Sequence, residues 1–280
     1  MQPSDEGEIL TWRPLIEHVT QVSDLEIFLM RKNILITGAS SGLGAGMARE
    51  FARRGYNLAL CARRLDRLTQ LKAELERDVP GVKVSIRALD VTDHDSVFEV
   101  FRDLRLEMGL LDRVIVNAGI GSGAPIGKGG FATNKATVET NFIAALAQCE
   151  AAMAIFREQK LGHLVVVSSM SAVRGLRGSM TAYAASKAGL GALAEGIRAD
   201  VMRQRAIKVT TLYPGYIRTE LNEHIPSSKT PFIVDALKGC RLLAKAIERE
   251  PATAYVPWWP WAPLGYLLKR LPLRWVVRLS

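Results

Sequence analysis

Short apolar runs rich in Val, Ile and Leu recur along the chain from residue 31 onward, and longer segments with helical periodicity separate them. This alternation is the pattern of repeated β-α units around a parallel sheet. The predicted strands are Asn33–Thr37, Asn57–Ala62, Val82–Ala88, Arg113–Asn117, His163–Ser168, Lys208–Tyr213 and a short one near Tyr255. The predicted helices are Gly42–Arg54, Leu65–Asp78, Asp93–Glu107, Asn134–Arg157, Ala182–Arg203 and Val234–Glu250.

The length of 280 residues and the 48% share of hydrophobic residues suit one large core better than two. We therefore predict an α/β fold in a single domain, with a doubly wound, seven-stranded parallel sheet of the Rossmann type over residues 31–257. Residues 1–30 are predicted to be an N-terminal extension, either disordered or the result of a mis-assigned start, since Met30 precedes the first strand. Residues 258–280 form a Trp/Arg-rich amphipathic C-terminal tail.

Cysteine and histidine usage bears on location and on metal binding. The three cysteines lie far apart without a CxxC pair, which favours a reduced, cytoplasmic protein; they are Cys61, Cys149 and Cys240. The histidines lack metal-ligand spacing, so no metal is predicted and each is interpreted as a surface or loop residue; they are His18, His94, His163 and His224. No secretory signal or spanning segment is evident.

Net charge is unevenly distributed along the chain. Residues 1–30 hold six acids and one base, whereas the remainder holds 36 bases and 22 acids. This excess favours anionic cofactors or anionic lipid surfaces. Nucleic acid is not an expected partner, because no basic stripe interleaved with aromatics occurs before the extreme C-terminus.

A glycine-rich turn joins the first predicted strand to the first helix, in the order Thr37-Gly38-Ala39-Ser40-Ser41-Gly42-Leu43-Gly44. Backbone amides and the positive end of a helix converge at such a turn, which suits an anionic pyrophosphate. Gly38 permits the tight turn, while Gly42 and Gly44 let the cofactor and the helix approach the strand. An isolated glycine cluster is usually only a turn, but this context favours a dinucleotide site.

The end of the second predicted strand bears on which nicotinamide cofactor binds. A carboxylate there would bond the adenosine ribose and repel a 2′-phosphate, but Ala62 occupies this place. Arg63 and Arg64 follow, and guanidinium groups suit a phosphate. The alternative is a pair of solvated arginines, and the nearby Asp66 argues for NAD(H). We predict NADP(H).

Tyr183 and Lys187 lie four residues apart on a predicted helix, so they share one face. A phenol with a pKa near ~10 is a poor base at neutral pH, but a nearby ammonium favours the phenolate. The preceding strand delivers Ser169 to the carboxyl edge of the sheet, where ligands of open α/β folds bind. Ser169 can hold a substrate oxygen while Tyr183 transfers the proton. Ser168 and Ser171 are the alternatives, in that order.

Five motifs in this order resemble the short-chain dehydrogenase/reductase family over nearly all of residues 31–257. They are the TGxxxGxG turn at Thr37–Gly44, the NAG motif at Asn117-Ala118-Gly119, the helix asparagine Asn141, the YxxxK motif at Tyr183–Lys187, and the PG segment at Pro214-Gly215 with Thr219. Ser169 lies 14 residues before Tyr183, one more than the family's commonest spacing.

The resemblance implies roles for these residues. Asn141 would orient a water in a proton relay through Lys187, whose ammonium would also bond the nicotinamide ribose. The adenine ring would contact Asp90 and Val91. The floor of the cofactor site would be formed by Asn117, Ala118 and Gly119. The segment Tyr213–Thr219 would hold the carboxamide side of the nicotinamide, through Pro214, Gly215, Ile217 and Thr219. Without the motif order, Asn141 would be a helix-interior hydrogen bonder, and Asp90 and Thr219 helix caps.

The resemblance also implies a homodimer or homotetramer built on the helices Asn134–Arg157 and Ala182–Arg203. Substrate contacts would come from the loops Ile120–Phe131, Met170–Met180 and Glu220–Val234, the last acting as a lid. Because neither the first nor the last of these loops offers a fixed cation cluster for a carboxylate substrate, we expect a lipophilic alcohol, aldehyde or ketone.

The tail sets tryptophans beside cations, which is typical of a segment that lies on a membrane surface. Pro260, Pro263 and Pro272 make it too broken to span. Packing on the domain or on a partner subunit is the equal alternative.

The sequence therefore predicts an NADP(H)-dependent oxidoreductase that transfers a hydride between the cofactor and a carbonyl or alcohol. Two other classes stay open: a catalytically silent protein that senses NADP(H), and a membrane-associated binding protein. A complete Ser, Tyr and Lys set favours the enzyme, because a sensor needs no acid/base group.

Overall fold

The structure is a computed structural model that describes residues 31–220, 222 and 232–279. The chain divides into two units, residues 1–31 and residues 32–280. The expectation about residues 1–30 lies outside the described residues, as do His18, His224 and most of the predicted lid.

Seven strands form one parallel sheet, in the order β3-β2-β1-β4-β5-β6-β7. Their bounds are β1 Asn33–Thr37, β2 Asn57–Ala62, β3 Val84–Ala88, β4 Arg113–Val116, β5 Gly162–Val167, β6 Ile207–Pro214 and β7 Thr253–Val256. All neighbouring pairs are parallel. The chain winds outward from β1 to β3 and then returns to β4 on the other side of β1. The predicted doubly wound fold is confirmed, and its switch point lies between β1 and β4.

The helices cover both faces of the sheet. Their bounds are α1 Gly42–Arg53, α2 Leu65–Asp78, α3 His94–Met108, α4 Phe131–Val138, α5 Ala144–Gln159, α6 Met180–Asp200, α7 Ala236–Glu248, α8 Trp258–Arg270 and α9 Leu273–Leu279. Side chains of β1 alternate between two cores: Leu35 faces the core that includes Phe101 of α3 and Phe156 of α5. Ile34 and Ile36 face the core built on α1, α2 and α7. This alternation follows from the two-residue period of a strand.

Two segments differ from the prediction. The expected continuous helix over 134–157 is interrupted by a π-helical turn, Glu139–Ile143. Residues 258–279, to which no helix was assigned, form α8 and α9. Trp259 has non-helical dihedral angles, so regular helix starts at Pro260. Pro260 and Pro263 then lie in the first turn, where backbone N–H groups have no helical partner.

His163 corrects the expectation that every histidine lies on the surface or in a loop. It lies within β5 and is fully buried. Its Nδ1 accepts a hydrogen bond from Nε of Arg113 at 2.8 Å, and its Nε2 lies 2.8 Å from Oγ1 of Thr210. These three residues lie near the amino ends of their strands, away from the edge where ligands of this fold bind.

Candidate active site

The glycine-rich turn between β1 and α1 is packed too tightly for side chains. Gly38 and Gly42 have φ of 65° and 54°, values that favour glycine. A Cβ on Gly44 would lie 2.3 Å from the carbonyl oxygen of Gly38, and a Cβ on Gly38 would lie 2.8 Å from Cα of Ala118. The turn therefore exposes bare backbone at the amino end of α1, a cradle that fits the pyrophosphate of a dinucleotide.

Asn117 braces this turn from the neighbouring strand. Its Nδ2 donates to the carbonyl oxygen of Thr37 at 2.9 Å. The backbone N–H groups of Asn117 and Ala118 donate to Oγ1 of Thr37 at 3.1 and 3.2 Å. The sequence analysis assigned no role to this threonine, whose hydroxyl joins the ends of β1 and β4. Its place at the last position of β1, immediately before the glycine turn, was the available signal.

The two arginines after β2 have different surroundings. Arg64 reaches back to the glycine turn, where its NH2 group donates to Oγ of Ser41 at 2.7 Å and to Oγ of Ser40 at 3.1 Å. Arg63 is largely exposed, and its NH1 lies 4.0 Å from Oδ2 of Asp90. The structure thus places the Arg64 guanidinium and two serine hydroxyls together at the glycine turn, with Arg63 facing Asp90.

A carboxylate from beyond β6 also reaches this rim. Oε2 of Glu220 accepts a hydrogen bond from NH1 of Arg67 at 3.0 Å and lies 3.9 Å from NH1 of Arg64. Neither Arg67 nor Glu220 was singled out as a site residue. Their opposite charges are far apart in sequence, so only the fold brings them together.

Asp90 does not cap the following helix, which corrects that alternative. Its Oδ1 accepts hydrogen bonds from the backbone N and the hydroxyl of Thr92, at 3.0 and 2.8 Å. The cap of α3 is Asp93, which accepts from the backbone N of Ser96. Val91 is buried beside Asp90.

Tyr183 lies in the first turn of α6, half-buried, and near enough to Ser169 for that serine to affect its pKa. Burial raises the pKa of Tyr183, the hydrogen bond from Ser169 lowers it, and the nearby Tyr216 raises it. Ser171 donates to Oγ of Ser169 at 2.7 Å. Ser168 is buried and donates to the carbonyl oxygen of Lys187 at 2.7 Å. Of the three candidate serines, Ser169 is therefore the one in contact with the phenol.

Lys187 lies one turn after Tyr183 and is almost fully buried. Its Nζ donates to the carbonyl oxygen of Val167, the last residue of β5, at 3.0 Å. Burial lowers the pKa of Lys187 to about 8. A Cβ on Gly119 would lie 3.4 Å from Nζ of Lys187 and 2.9 Å from Oδ1 of Asn141. Gly119 therefore leaves room between these two side chains.

Asn141 lies in the π-helical turn and is fully buried. Its side chain bonds both backbone groups of Ile120: Oδ1 accepts from N at 2.8 Å and Nδ2 donates to O at 2.9 Å. Its Nδ2 also lies 3.5 Å from Oγ of Ser186. π-Helical turns frequently mark functional sites, and this one turns a polar side chain toward the loop after β4.

The segment after β6 runs along the same edge of the sheet. The backbone N of Gly215, after Pro214, donates to the carbonyl oxygen of Val256 at 2.9 Å. Ile217 is buried against Gly239 of α7. The backbone N of Thr219 donates to Oδ1 of Asn222 at 2.9 Å, and the Thr219 side chain faces Gly42.

Trp261 of α8 is a site residue that the sequence analysis missed. It is 5% exposed and covers Gly215 so closely that a Cβ there would lie 2.2 Å from its Nε1. Its ring packs edge-on against Tyr216, at 5.6 Å between centroids, and against Phe232, at 6.3 Å. The available signal was helical spacing, since Trp261 and Gly265 lie four residues apart on one face.

The fold and this site define a dinucleotide-binding protein of the Rossmann type whose Ser, Tyr and Lys side chains gather at the carboxyl edge of the sheet. The family model described as short chain dehydrogenase matches residues 32–230. The chain belongs to the short-chain dehydrogenase/reductase family, and it is an oxidoreductase of that type. Members of this family use nicotinamide cofactors.

One relative and two solved structures show the range of similar proteins. An uncharacterized oxidoreductase of Mycobacterium tuberculosis is 55% identical over 244 residues, which cover 87% of this chain and 95% of the relative. An alcohol dehydrogenase from Thermococcus sibiricus, complexed with 5-hydroxy-NADP, is 26% identical with a TM-score of 0.69, over 80% of this chain and 95% of that one. An NAD⁺-bound xylitol dehydrogenase is 27% identical with a TM-score of 0.63, over 67% and 71%.

Proposed function

We propose that this protein reduces a lipophilic aldehyde or ketone with NADPH, with Tyr183 as the proton donor and Ser169 as the group that holds the substrate oxygen. The observation that carries the proposal is the placement of Tyr183, Ser169 and the buried Lys187 together at the edge of the sheet that bears the glycine turn. The same residues serve the reverse oxidation of an alcohol.

The residues of the site divide the work as follows. When bound, the nicotinamide supplies or accepts the hydride. Tyr183 gives its phenolic proton to the carbonyl oxygen, and Ser169 donates a hydrogen bond to the same oxygen. Because burial raises the pKa of Tyr183, the phenol stays protonated at neutral pH, which favours reduction. The Lys187 ammonium stabilises the phenolate that forms. Asn141 holds the backbone of Ile120 through two hydrogen bonds.

Arg63 and Arg64 support the choice of NADP(H). Arg64 is held over the turn by Ser40 and Ser41, so these three side chains can together bind a 2′-phosphate. The similar structures include both an NADP analogue complex and an NAD⁺ complex, so the choice rests on these side chains.

The substrate side supports a lipophilic substrate. Trp261, Tyr216, Phe232 and Met170 cluster beyond Tyr183 and Ser169, and they are apolar over most of their surface. Apolar walls with a few polar groups are typical of small-molecule sites. We also propose a homodimer or homotetramer through α5 and α6, and peripheral membrane contact through the C-terminal helices.

The test is a panel of aldehydes, ketones and secondary alcohols, assayed by the absorbance of NADPH and NADH. Turnover of at least one carbonyl with NADPH is expected. Arg64→Ala should reduce the preference for NADPH over NADH about 10- to 100-fold, the value of one charge-assisted contact. Arg77→Ala, at an exposed arginine on α2 away from the turn, is the control. NADPH binding without turnover of any carbonyl or alcohol would favour the cofactor-sensing protein instead.

A further inference from the structure

The helix α8 has two chemically different faces. Its inner face carries Trp261 and Gly265, which are both buried. Its outer side is exposed, with Tyr266 at 61% and Leu267 at 50%. This division follows from the 3.6-residue period, because Trp261 and Gly265 lie one turn apart.

The inner face forms part of the substrate side of the site. A Cβ on Gly265 would lie 3.3 Å from Cε of Met170, the residue next to Ser169. Trp261 packs on Tyr216, which is near enough to Tyr183 to raise its pKa. Met170, the residue after Ser169, and Tyr216 therefore lie against α8.

The end of α8 is fastened to the segment that follows Ser169. The guanidinium of Arg174 donates to the carbonyl oxygens of Lys269, at 3.4 Å, and Leu271, at 3.2 Å. These carbonyls belong to the last turn of the helix, where no helical partner is available. The position of α8 is thus coupled to the loop that carries Ser169.

The exposed side of α8 and α9 bears large apolar side chains, which we call the tail surface. Four of its six members are aromatic; the set is Trp258 at 68%, Trp259 at 70%, Tyr266 at 61%, Leu267 at 50%, Leu273 at 58% and Trp275 at 47% exposed. Tryptophan and tyrosine are enriched where a protein meets the headgroup level of a bilayer.

The charges beside the tail surface have one sign. Residues 251–280 contain no Asp or Glu, and they contain the cations Lys269, Arg270, Arg274 and Arg278. The Arg270 guanidinium lies 3.6 Å from the centre of the Tyr266 ring, and that of Arg278 lies 5.4 Å from the Trp275 ring. Each cation near an anionic leaflet contributes about 1 kcal/mol of attraction. No helix in the described ranges is long and apolar enough to cross a membrane.

We propose that the tail surface docks on an anionic lipid bilayer, and that this docking brings the active site to a carbonyl substrate dissolved in the membrane. The membrane-binding part of the proposal is supported by the exposed aromatic side chains and by the exclusively positive charge beside them. The delivery half rests on the proposed function, because it needs a carbonyl substrate. A second copy of this chain seated on the tail surface is the competing occupant.

The first experiment measures co-sedimentation of the full chain with vesicles of phosphatidylcholine alone or with added phosphatidylglycerol. We expect binding to the anionic vesicles, and we expect 0.5 M NaCl, with a screening length of roughly 4 Å, to abolish it. Lys269→Gln with Arg274→Gln should weaken the partition about 30-fold. Equal sedimentation with both vesicle types, or no sedimentation with either type, overturns the proposal.

A second pair of variants tests the aromatics. Trp258→Ser with Trp259→Ser should lose most vesicle binding, while Leu106→Ser, at an exposed leucine of α3, should not. Circular dichroism and NADPH binding report that each variant is folded. If the tryptophan variant instead dissociates an oligomer in size-exclusion chromatography, and vesicle binding is absent in the wild type, the surface is a contact between copies and the proposal is wrong.

The delivery half is tested by comparing a long-chain aldehyde in anionic vesicles with a short, water-soluble aldehyde. We expect the vesicles to lower the KM of the long-chain substrate by about 10-fold or more, as surface concentration does, and to leave the short one unchanged. The tryptophan variant should lose this effect and keep its rate on the short aldehyde. Vesicle binding without turnover of either aldehyde contradicts the proposed function, whereas turnover of both with no vesicle effect contradicts delivery.

Discussion

Two buried cations, Arg113 and Lys187, lie at opposite edges of the same sheet and have different partners. Arg113 begins β4 at the amino edge, where it bonds His163 at 2.8 Å and Glu250 at 3.1 Å. Its guanidinium also lies 5.9 Å from the centre of the Phe51 ring. Lys187 lies at the carboxyl edge, and the one hydrogen bond of its ammonium within the described part of the chain goes to the carbonyl oxygen of Val167.

This difference indicates a structural role for the Arg113 cluster and a catalytic role for the Lys187 site. At the amino edge the charged groups are partners of one another, so the cluster holds strands and the turn before β7 together. At the carboxyl edge the ammonium keeps N–H groups available, and its burial lowers its pKa to about 8. A buried ammonium that has unused N–H donors and a pKa lowered toward neutral pH is typical of a site that acts on a ligand.

The largest expected effect on stability comes from Arg113→Met. The change removes a buried guanidinium that pairs with the partly buried Glu250, so we expect the free energy of unfolding to fall by about 3–5 kcal/mol. Urea denaturation measures this loss. At 15 °C, where the variant stays folded, kcat/KM should match the wild type. Loss of activity in a folded Arg113→Met protein would break the division between the two edges.

Ser169→Ala should lower kcat/KM about 100- to 1000-fold, because it removes a donor to the developing oxyanion. Single-turnover oxidation of NADPH measures the effect. Ser168→Ala is the matched control, since the hydroxyl of this buried serine bonds only the backbone oxygen of Lys187 within the described residues. The Ser168→Ala variant should have a lower free energy of unfolding and an unchanged rate of the chemical step. A normal rate in Ser169→Ala would transfer the role to Ser171, which bonds it.

The pH dependence of reduction should follow Lys187. Its pKa of about 8 lies below the ordinary value of 10.5, so the ammonium is lost as pH rises through about 8. We expect kcat/KM to fall about tenfold per pH unit above this point. The unfolded chain binds more protons between these values, so this group makes the free energy of unfolding rise with pH there. In Lys187→Met, at a lower overall rate, both dependences should disappear.

The smallest expected effect concerns Glu220. Its carboxylate pairs with Arg67 and lies near Arg64, so it competes with a 2′-phosphate. Glu220→Gln should lower the KM for NADPH about two- to fivefold, in line with the strength of exposed ion pairs, and leave NADH unchanged. Glu158→Gln, which removes an exposed pair with Arg105, is the control. An equal change for both cofactors would remove Glu220 from the phosphate site.

The sequence predicted the strands well because each is a short run with a strong local signal. The bounds of β1 and β2 agree at both ends, and those of β5 and β6 within one residue. The glycine turn and the spacing of Tyr183 and Lys187 are local as well. What could not be predicted depends on distant contacts. No residue near His163 in sequence indicates that Arg113, 50 residues away, is buried against it.

The tail shows the same limit. Its prolines were interpreted only as breaks that prevent a membrane span and no helix was assigned to it, yet α8 accommodates Pro260 and Pro263. Trp261 became part of the substrate side only because β7 places α8 against the segment after β6. The π-helical turn around Asn141 likewise needs the loop after β4 as its hydrogen-bonding partner.

The most direct test of the account is the single-turnover rate of NADPH oxidation by Tyr183→Phe, with a carbonyl that the wild type turns over. Tyr56→Phe, which removes a phenol near the amino edge, is the matched control. We predict a loss of about 100- to 10,000-fold for Tyr183→Phe, the range for one proton-transfer group, with unchanged NADPH binding. Tyr56→Phe should keep the wild-type rate. A wild-type rate in Tyr183→Phe would contradict the assignment of the carboxyl edge as the catalytic centre.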